Sequence, residues 1–425
     1  MEILQFVVAA LMGGLAAYLA QQGIAVFNDG LRPLMPEFLE GRMNRRELAL
    51  TSFALCFGLV IGFGIPFSLT SQIILIHSVF LATDIIGTSS PNKWLAAGLG
   101  ALWGVLLTIG LQAVVDLFAL LPVNFLDALG QVSSPITAAF AVFPSLAVAL
   151  HHGWKKGAII FGLQMLARQI VVQINPISFG SSKINLNPEG TALVVGMILL
   201  LLFAAREKAE ISAEASLTAV FSDRVKRIKS NVAVLSIMGA LVAAAANLGV
   251  VAGDPISLGL AAEGAITDAG IAALARGIGF IPLVATTAVA TGVYGPVGMT
   301  FVFATGFFSP HWIVAAILGA LIIFLEVMLL DVIARFLDRF PGVRAAGEHI
   351  RTAMTKVLEI ALLAGSMVAG NAMAPGLGYF IVAAVIVLNE AAGLPVNRLA
   401  IGPVAAILTG ILLNLLNVVT LFTPS

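Results

Sequence analysis

FLATDIIGTSSPNKW, residues 80–94, places an aspartate, Asp84, near the end of a long apolar run and follows it with Gly87, Thr88, Ser89, Ser90 and Pro91. Much further along, FATGFFSPHW (303–312) has a similar frame: Ala-Thr, then Ser-Pro, then Trp, with Gly306 where Asp84 stood. The chain repeats a helix breaker inside an apolar stretch and charges only one copy. The fold is read outward from that pair.

Composition fixes the setting. The chain has 425 residues, 60% hydrophobic and 10% charged, with mean hydropathy +1.05. Soluble domains carry about 25% charged residues. Apolar runs of about 20 residues, the length that crosses about 30 Å of hydrocarbon, recur from end to end. An all-α polytopic membrane protein follows. A β-barrel would show alternating segments of about ten residues instead. The single cysteine, Cys56, excludes an internal disulfide and reads as a small packing residue. The start, MEILQFVVAALMGG, lacks a basic leader, so the first run is expected to be a retained helix. Net charge is zero and no nucleic-acid signature is present.

Fourteen hydrophobic segments run from 3–27 to 398–422, several shorter than a full span. Segments three and ten, 70–90 and 297–309, end in the two breakers. The long polar stretch, Arg206 to Ser230, reads as a charged linker with room for a short surface helix. On either side the chain repeats itself. MGGLAAYLAQQGIAV (12–26) aligns with MGALVAAAANLGVVA (238–252), and 46–66 matches the span of 276–296. The separation of Pro91 from Pro122 equals that of Pro310 from Pro341, and GMILLLL (196–202) resembles GILLNLL (410–416). Four weak matches in one order predict two repeats of about seven transmembrane segments: 1–205, then the cytoplasmic linker 206–230, then 231–425.

An odd number of crossings inverts the second repeat. With both termini on the outer (periplasmic) face, all but three of the 22 basic residues fall on the cytoplasmic side or in the linker. The exceptions are Lys183, outside, and Arg168 and Arg276, within or at the edge of segments. The loop 253–275 carries Asp254, Glu263 and Asp268 and no Lys or Arg before Arg276, as the positive-inside rule expects of an outer loop.

Inverted repeats are common in secondary transporters, whose sites form where interrupted segments of the two halves meet. The architecture resembles the seven-plus-seven elevator transporters, the fold of nucleobase–cation symporters and sulfate permeases, in segment count, inversion and breaker position. That likeness is architectural. A resemblance in sequence is closer. AVFNDGLRPLMPEFLEGRMNRRE (25–47), LGALWGVL (99–106), SSPITAAFAVFP (133–144), ATTAVATGVYG (285–295), FATGFFSP (303–310) and LTGILLNLL (408–416) are similar to the YhfT family of bacterial membrane proteins. The resemblance covers essentially the whole chain. It implies a transporter of unknown substrate in the bacterial inner membrane, from genes beside those of phosphotriesterase-like and pyridoxal-phosphate enzymes. It carries over no functional residues.

Charges within membrane segments are costly and usually face a cavity or a partner. Asp84 is the leading candidate, to bind a coupling proton or sodium ion or a cationic substrate group. The bland alternative is capping of segment four or pairing with Lys93. Around it, Thr83, Gly87, Thr88, Ser89 and Ser90 are expected to form half the substrate site. Thr305, Gly306 and Ser309 would supply the other half through backbone dipoles. Arg168 offers a planar fork to an anionic substrate, or neutralises Glu326 or Glu390. Glu326 and Glu390 are the further ion-coupling candidates. Thr287, with Thr286 and Thr291, either hydrogen-bonds substrate or serves close packing. His77 reads as a satisfied buried histidine before it reads as a proton relay. Local pairs are expected for Asp29 with Arg32, Asp331 with Arg335, and Glu359 with Lys356. Interhelical hydrogen bonds are expected for Asn414 and Asn417.

The expectation is a secondary active transporter for a small polar metabolite. It would be coupled to H+ or Na+, work by alternating access with an elevator-like movement, and form a homodimer in the bilayer. The rivals are a channel or membrane component of a larger complex, and, less favoured, an intramembrane enzyme. Saturable exchange marks a carrier, and flux linear in the gradient marks a channel. No HExxH, CxxC, Walker or dinucleotide motif is present, so no catalytic residue, cofactor or metal is assigned.

Overall fold

The computed structural model describes residues 3–175, 177–179, 182–184, 188–206, 217–339, 341–396 and 398–423. The first part of the chain contains α1 (Ile3–Gln21), α2 (Leu34–Leu39), α3 (Arg45–Leu59), a π-helical turn Val60–Gly64, α4 (Ile65–Ser71), β1 (Ile74–Leu75), α5 (Ile76–Ser89) and α6 (Lys93–Ala119). There follow α7 (Leu126–Gly130), α8 (Ser133–His152), α9 (Trp154–Ile174), β2 (Ile177–Phe179), β3 (Ser182–Ile184) and α10 (Pro188–Ala205). Next come α11 (Leu217–Ser230), α12 (Val232–Asn247), β4 (Val251–Ala252), α13 (Pro255–Ala262), α14 (Ile266–Thr291), α15 (Phe301–Phe308) and α16 (Trp312–Met328). The remainder is α17 (Leu330–Arg339), α18 (Pro341–Met373), α19 (Leu377–Ala391) and α20 (Arg398–Val418).

Six helices are long and apolar enough to cross a membrane, or eight if each of two bent pairs counts as one span, among the described residues. This is a multi-pass membrane protein. Its outer helices show lipid-facing stripes: Leu95, Leu99, Leu102, Leu106 and Ile109 stand exposed along α6, and Ile159, Leu163, Leu166 and Ile170 along α9. Several of the fourteen segments are shorter helices. At 1.5 Å per residue, α5 covers about 21 Å and α15 about 12 Å, short of the hydrocarbon thickness.

Small residues let the central helices touch backbone to backbone, as in close membrane packing. A Cβ on Gly13 of α1 would stand 2.3 Å from the Gly100 carbonyl oxygen of α6. A Cβ on Gly239 of α12 would stand 2.6 Å from the Gly319 carbonyl oxygen of α16. Gly87 of α5 packs on Ala17, Ala20 and Gln21 of α1, and Gly306 of α15 packs on Ala243, Ala246 and Asn247 of α12.

Between these pairs the chain crosses. β1 pairs in parallel with β4, Ile74 with Val251, and Ala25 bridges Tyr294 in parallel. Ile74 N–H donates to the Val250 carbonyl at 2.9 Å, and Tyr294 N–H donates to the Ile24 carbonyl at 3.0 Å. These extended stretches carry the interruptions. Left-handed residues mark them: Gln72 at φ +56°, Gly292 at +70°, Gly298 at +55° and Thr300 at +77°. The sequence places the breaks at Gly87–Pro91 and Ser309–Pro310, and the structure places them before the helices instead. Gly87, Thr88 and Ser89 are helical, and Ser90 and Ser309 are extended C-caps. Pro91 and Pro310 therefore end short helices and do not interrupt long ones.

Two sequence expectations change outside the crossing. The stretch 253–275 is no open loop. Asp254 caps α13, accepting from Ile256 N–H at 3.0 Å and Ser257 N–H at 2.9 Å, and α14 begins at Ile266. The linker's residues 207–216 lie outside the described residues, but 217–230 form α11, which packs inward. Val225 and Ile228 are buried. Arg227 donates to the Gly23 carbonyl at 2.9 Å, and Lys229 pairs with Asp331, taking the place expected for Arg335.

Candidate functional site

A cavity of about 700 Å³ lies at the crossing. Its walls are the loop Phe27–Arg32 after α1, His77 and Leu81 of α5, Arg276 to Val284 of α14, the stretch Val297–Thr300, and residues 352–359 of α18.

Two stretches of the cavity wall, the loop after α1 and the stretch before α15, are each tied down by a buried carboxylate. Asp84, 2% exposed, accepts from Phe27 N–H at 2.9 Å and Asn28 N–H at 2.8 Å. Glu326 of α16, 7% exposed, accepts from Met299 N–H at 2.9 Å and the Tyr294 hydroxyl at 2.7 Å. A loop entering a membrane core must find acceptors for its free amides, and these two side chains provide them. Neither carboxylate lines the cavity. Asp84 does not cap segment four, a task performed by Asn92 through Trp94 and Leu95 N–H.

The loop itself is strongly fixed. Asn28 accepts from Gly30 N–H at 2.8 Å and donates to the Leu55 carbonyl at 3.2 Å. Arg32 Nε donates to the Val26 carbonyl at 3.1 Å. Arg32 Nη1 lies 3.1 Å from Asp29 Oδ1, the local pair expected from sequence.

Three polar atoms at the cavity are buried without a hydrogen-bond partner: His77 Nδ1, Arg276 Nε and Thr300 Oγ1. Buried polar groups are paired in the great majority of cases. A polar guest or water in this void is the kind of partner that would satisfy them.

None of the residues assigned to the substrate site from sequence lines this cavity. Thr83, Thr88, Ser90, Thr287, Thr305 and Ser309 return their hydroxyls to carbonyls of their own helices. Ser89 is exposed, Gly87 packs on α1, and Gly306 borders a separate void of about 90 Å³. Arg168 pairs with Glu189 at 2.8 Å, half exposed, and meets neither Glu326 nor Glu390. Glu390 pairs with Arg398 at 2.8 Å on the surface. The side chain of Thr286 lies outside the described residues. Among the described residues, Asn414 and Asn417 make no helix-to-helix bond of the kind expected: Asn414 exchanges two 3.0 Å hydrogen bonds with the Val123 backbone in the turn after α6, and Asn417 donates to the Phe422 carbonyl just beyond its own helix.

Sequence reasoning left Arg276 at a segment edge because it began that helix at 276. The signal for it is IAALARGIGFIPL (271–283), one arginine with apolar residues on both sides. No group of three or more His, Cys, Asp or Glu able to hold a metal ion occurs among the described residues.

The chain matches the YhfT family, described as a protein of unknown function, over residues 5–422. It is 41% identical over 438 residues to the uncharacterized protein YhfT of Escherichia coli strain K12, covering 99% of each chain. No solved structure matches. The chain therefore belongs to the YhfT family of membrane proteins.

Proposed function

We propose that the protein is a secondary transporter that carries a small polar solute through the cavity at the crossing. The observation that supports this most is the place of the cavity. It lies beside the Ala25–Tyr294 bridge, between the loop Phe27–Arg32 and the interrupted stretch Val297–Thr300, and its walls hold unpartnered buried polar groups.

The repeat reading gains support from paired contacts. Gly13 on Gly100 matches Gly239 on Gly319, and Gly87 on α1 matches Gly306 on α12. The Ile24–Tyr294 and Val250–Ile74 hydrogen bonds match in the same way. These contacts set Gly87, and not Asp84, opposite Gly306, three residues from the frame suggested by the Ala-Thr match. Asp84 then stands opposite Phe303. Two such halves in opposed orientation would supply the two states that alternating access needs. Elevator-like movement, a homodimer and periplasmic termini belong to the same proposal on architecture alone.

Coupling to H+ or Na+ is assigned to Glu326 before Asp84. Asp84 uses both oxygens on backbone amides, whereas Glu326 Oε1 is buried and unpartnered. A cation arriving there would change the carboxylate that holds Met299 N–H, and with it the Val297–Thr300 wall.

The test needs no known substrate. Thr352→Cys, on the α18 wall, is introduced with Cys56→Ser and exposed to a membrane-impermeant maleimide in right-side-out and inside-out vesicles. Transport through the cavity expects modification from each face. Modification from one face alone would sink the reading and favour a receptor or enzyme pocket.

A further inference from the structure

Arg276 is a buried charge without an ion-pair partner among the described residues. It is 4% exposed, and its Nε has no hydrogen-bond partner. Its guanidinium lies 4.5 Å from the centre of the Phe280 ring, a cation–π contact that orients the group without neutralising it. No carboxylate of a described residue forms an ion pair with it.

The two nearby acids are occupied. Asp254 Oδ1 takes the N–H groups of Ile256 and Ser257, and its Oδ2 takes the Ser257 hydroxyl at 2.7 Å. Asp29 is beside Arg32. The backbone of Gly253 packs closely on the guanidinium and on the Phe303 ring. A Cβ on Gly253 would come within 2.9 Å of Nη1. Thr300, also on the cavity wall, is 3% exposed with an unpartnered hydroxyl.

Arginine stays charged in proteins, and a buried charge without a partner is costly. Such a group is retained where a ligand completes it. The planar fork of a guanidinium matches a carboxylate or a phosphate with two parallel hydrogen bonds. We propose that the cavity binds a small solute through an anionic group, carboxylate or phosphate, held by Arg276 with the Thr300 hydroxyl as second donor. This deepens the transport reading and depends on it only for calling the anion a cargo.

The purified full chain in detergent is assayed by thermal unfolding against inorganic phosphate and malonate. Sodium chloride at matched ionic strength is the control, and phosphatidylglycerol in mixed micelles is a separate arm. A ligand of the folded state raises the unfolding midpoint with concentration. The wild type is expected to respond to phosphate or malonate beyond the chloride effect. Arg276→Gln should have a midpoint no lower than wild type, because it removes an unpaired charge, and should need about tenfold to a hundredfold more anion for the same shift. Arg276→Lys, which keeps the charge and loses the fork, should lie between them, and Thr300→Val should weaken the response less than Arg276→Gln.

A wild type indifferent to both anions, or an Arg276→Gln variant with an undiminished response, overturns the proposal. So does an Arg276→Gln variant unstable without any anion while Arg276→Lys matches wild type in both stability and response. A response to phosphatidylglycerol alone overturns a soluble cargo and assigns the anion to a lipid headgroup. Access from both faces at Thr352→Cys with no anion response would sink the anion and leave transport standing. An Arg276-dependent response with access from one face would do the reverse.

Discussion

The chain leaves α1 and α12 in the same way and then makes different use of the exit. Gly23 and Gly249 both adopt left-handed φ, +63° and +67°, and each exit then meets an extended stretch from elsewhere in the chain. After α12 the chain closes on itself. Asp254 caps α13 from within the same turn, and Gly253 faces the Phe303 ring. After α1 the chain stays open. Phe27 to Arg32 form a cavity wall, and the amides of Phe27 and Asn28 are taken by Asp84, from another helix. Under the repeat proposed above, Phe303 corresponds to Asp84. At the α1 exit a carboxylate from another helix takes the amides, whereas the α12 exit is satisfied within its own turn. Both oxygens of Asp84 take backbone amides, and Asp84 does not line the cavity.

The largest way to break this comparison is Asp84→Ala. Two amides lose their acceptor, at about 1–3 kcal/mol for each buried group left unsatisfied. A loss of about 2–6 kcal/mol in folding stability is expected, read as a lower unfolding midpoint in detergent. Asp84→Asn keeps one acceptor oxygen and should lose distinctly less. An Asp84→Ala protein as stable as wild type would show that the carboxylate does not hold the loop.

Next come Gly100→Val and Gly319→Val, which test whether the two helix crossings are equivalent. At either glycine even a Cβ would fall about 2.5 Å or less from the facing glycine's carbonyl oxygen. Overpacking of this kind costs about 1–3 kcal/mol, and the two variants should lose similar stability. Gly98→Val on the same α6 meets nothing within 4 Å and serves as the control. A large loss at one crossing and none at the other would count against paired halves.

A smaller effect is expected where the hold is local. Asp254→Ala removes a helix cap, typically worth about 1 kcal/mol, and should cost clearly less than Asp84→Ala. Equal losses at both positions would erase the contrast between the open and the closed exit.

The class of the protein was legible because composition and run length respond to the bilayer directly. Small residues in 12–26 and 238–252 pointed to close packing, and Gly13 and Gly239 each enter a glycine contact. The site was far less legible. Asp84 stood out as a buried charge, but sequence cannot say whether a carboxylate meets solute or backbone amides fifty-odd residues away. The Thr and Ser residues of the breakers looked like ligands, yet in an apolar setting a hydroxyl's nearest acceptor is a carbonyl of its own helix. Arg276 was hidden by a boundary. Beginning the helix at Ile266 moves it from the edge of a segment to the middle of one.

Arg168 sharpens the contrast at its small end. Sequence ranked it above Arg276 because it sits within an apolar segment, IIFGLQMLARQIVV (159–172). Its side chain is 47% exposed and paired with Glu189, itself 20% exposed. Exposed ion pairs contribute about 0–1 kcal/mol, because solvent screens them and ordering two side chains opposes them. Arg168→Ala should therefore shift the unfolding midpoint little, by the equivalent of about 0.5 kcal/mol or less, and leave any anion response unchanged. Arg276→Gln should do the opposite, sparing stability and weakening the response. If Arg168→Ala abolishes an anion response that Arg276→Gln leaves intact, the two arginines have exchanged roles, and the binding site lies at the α9–α10 surface and not at the crossing.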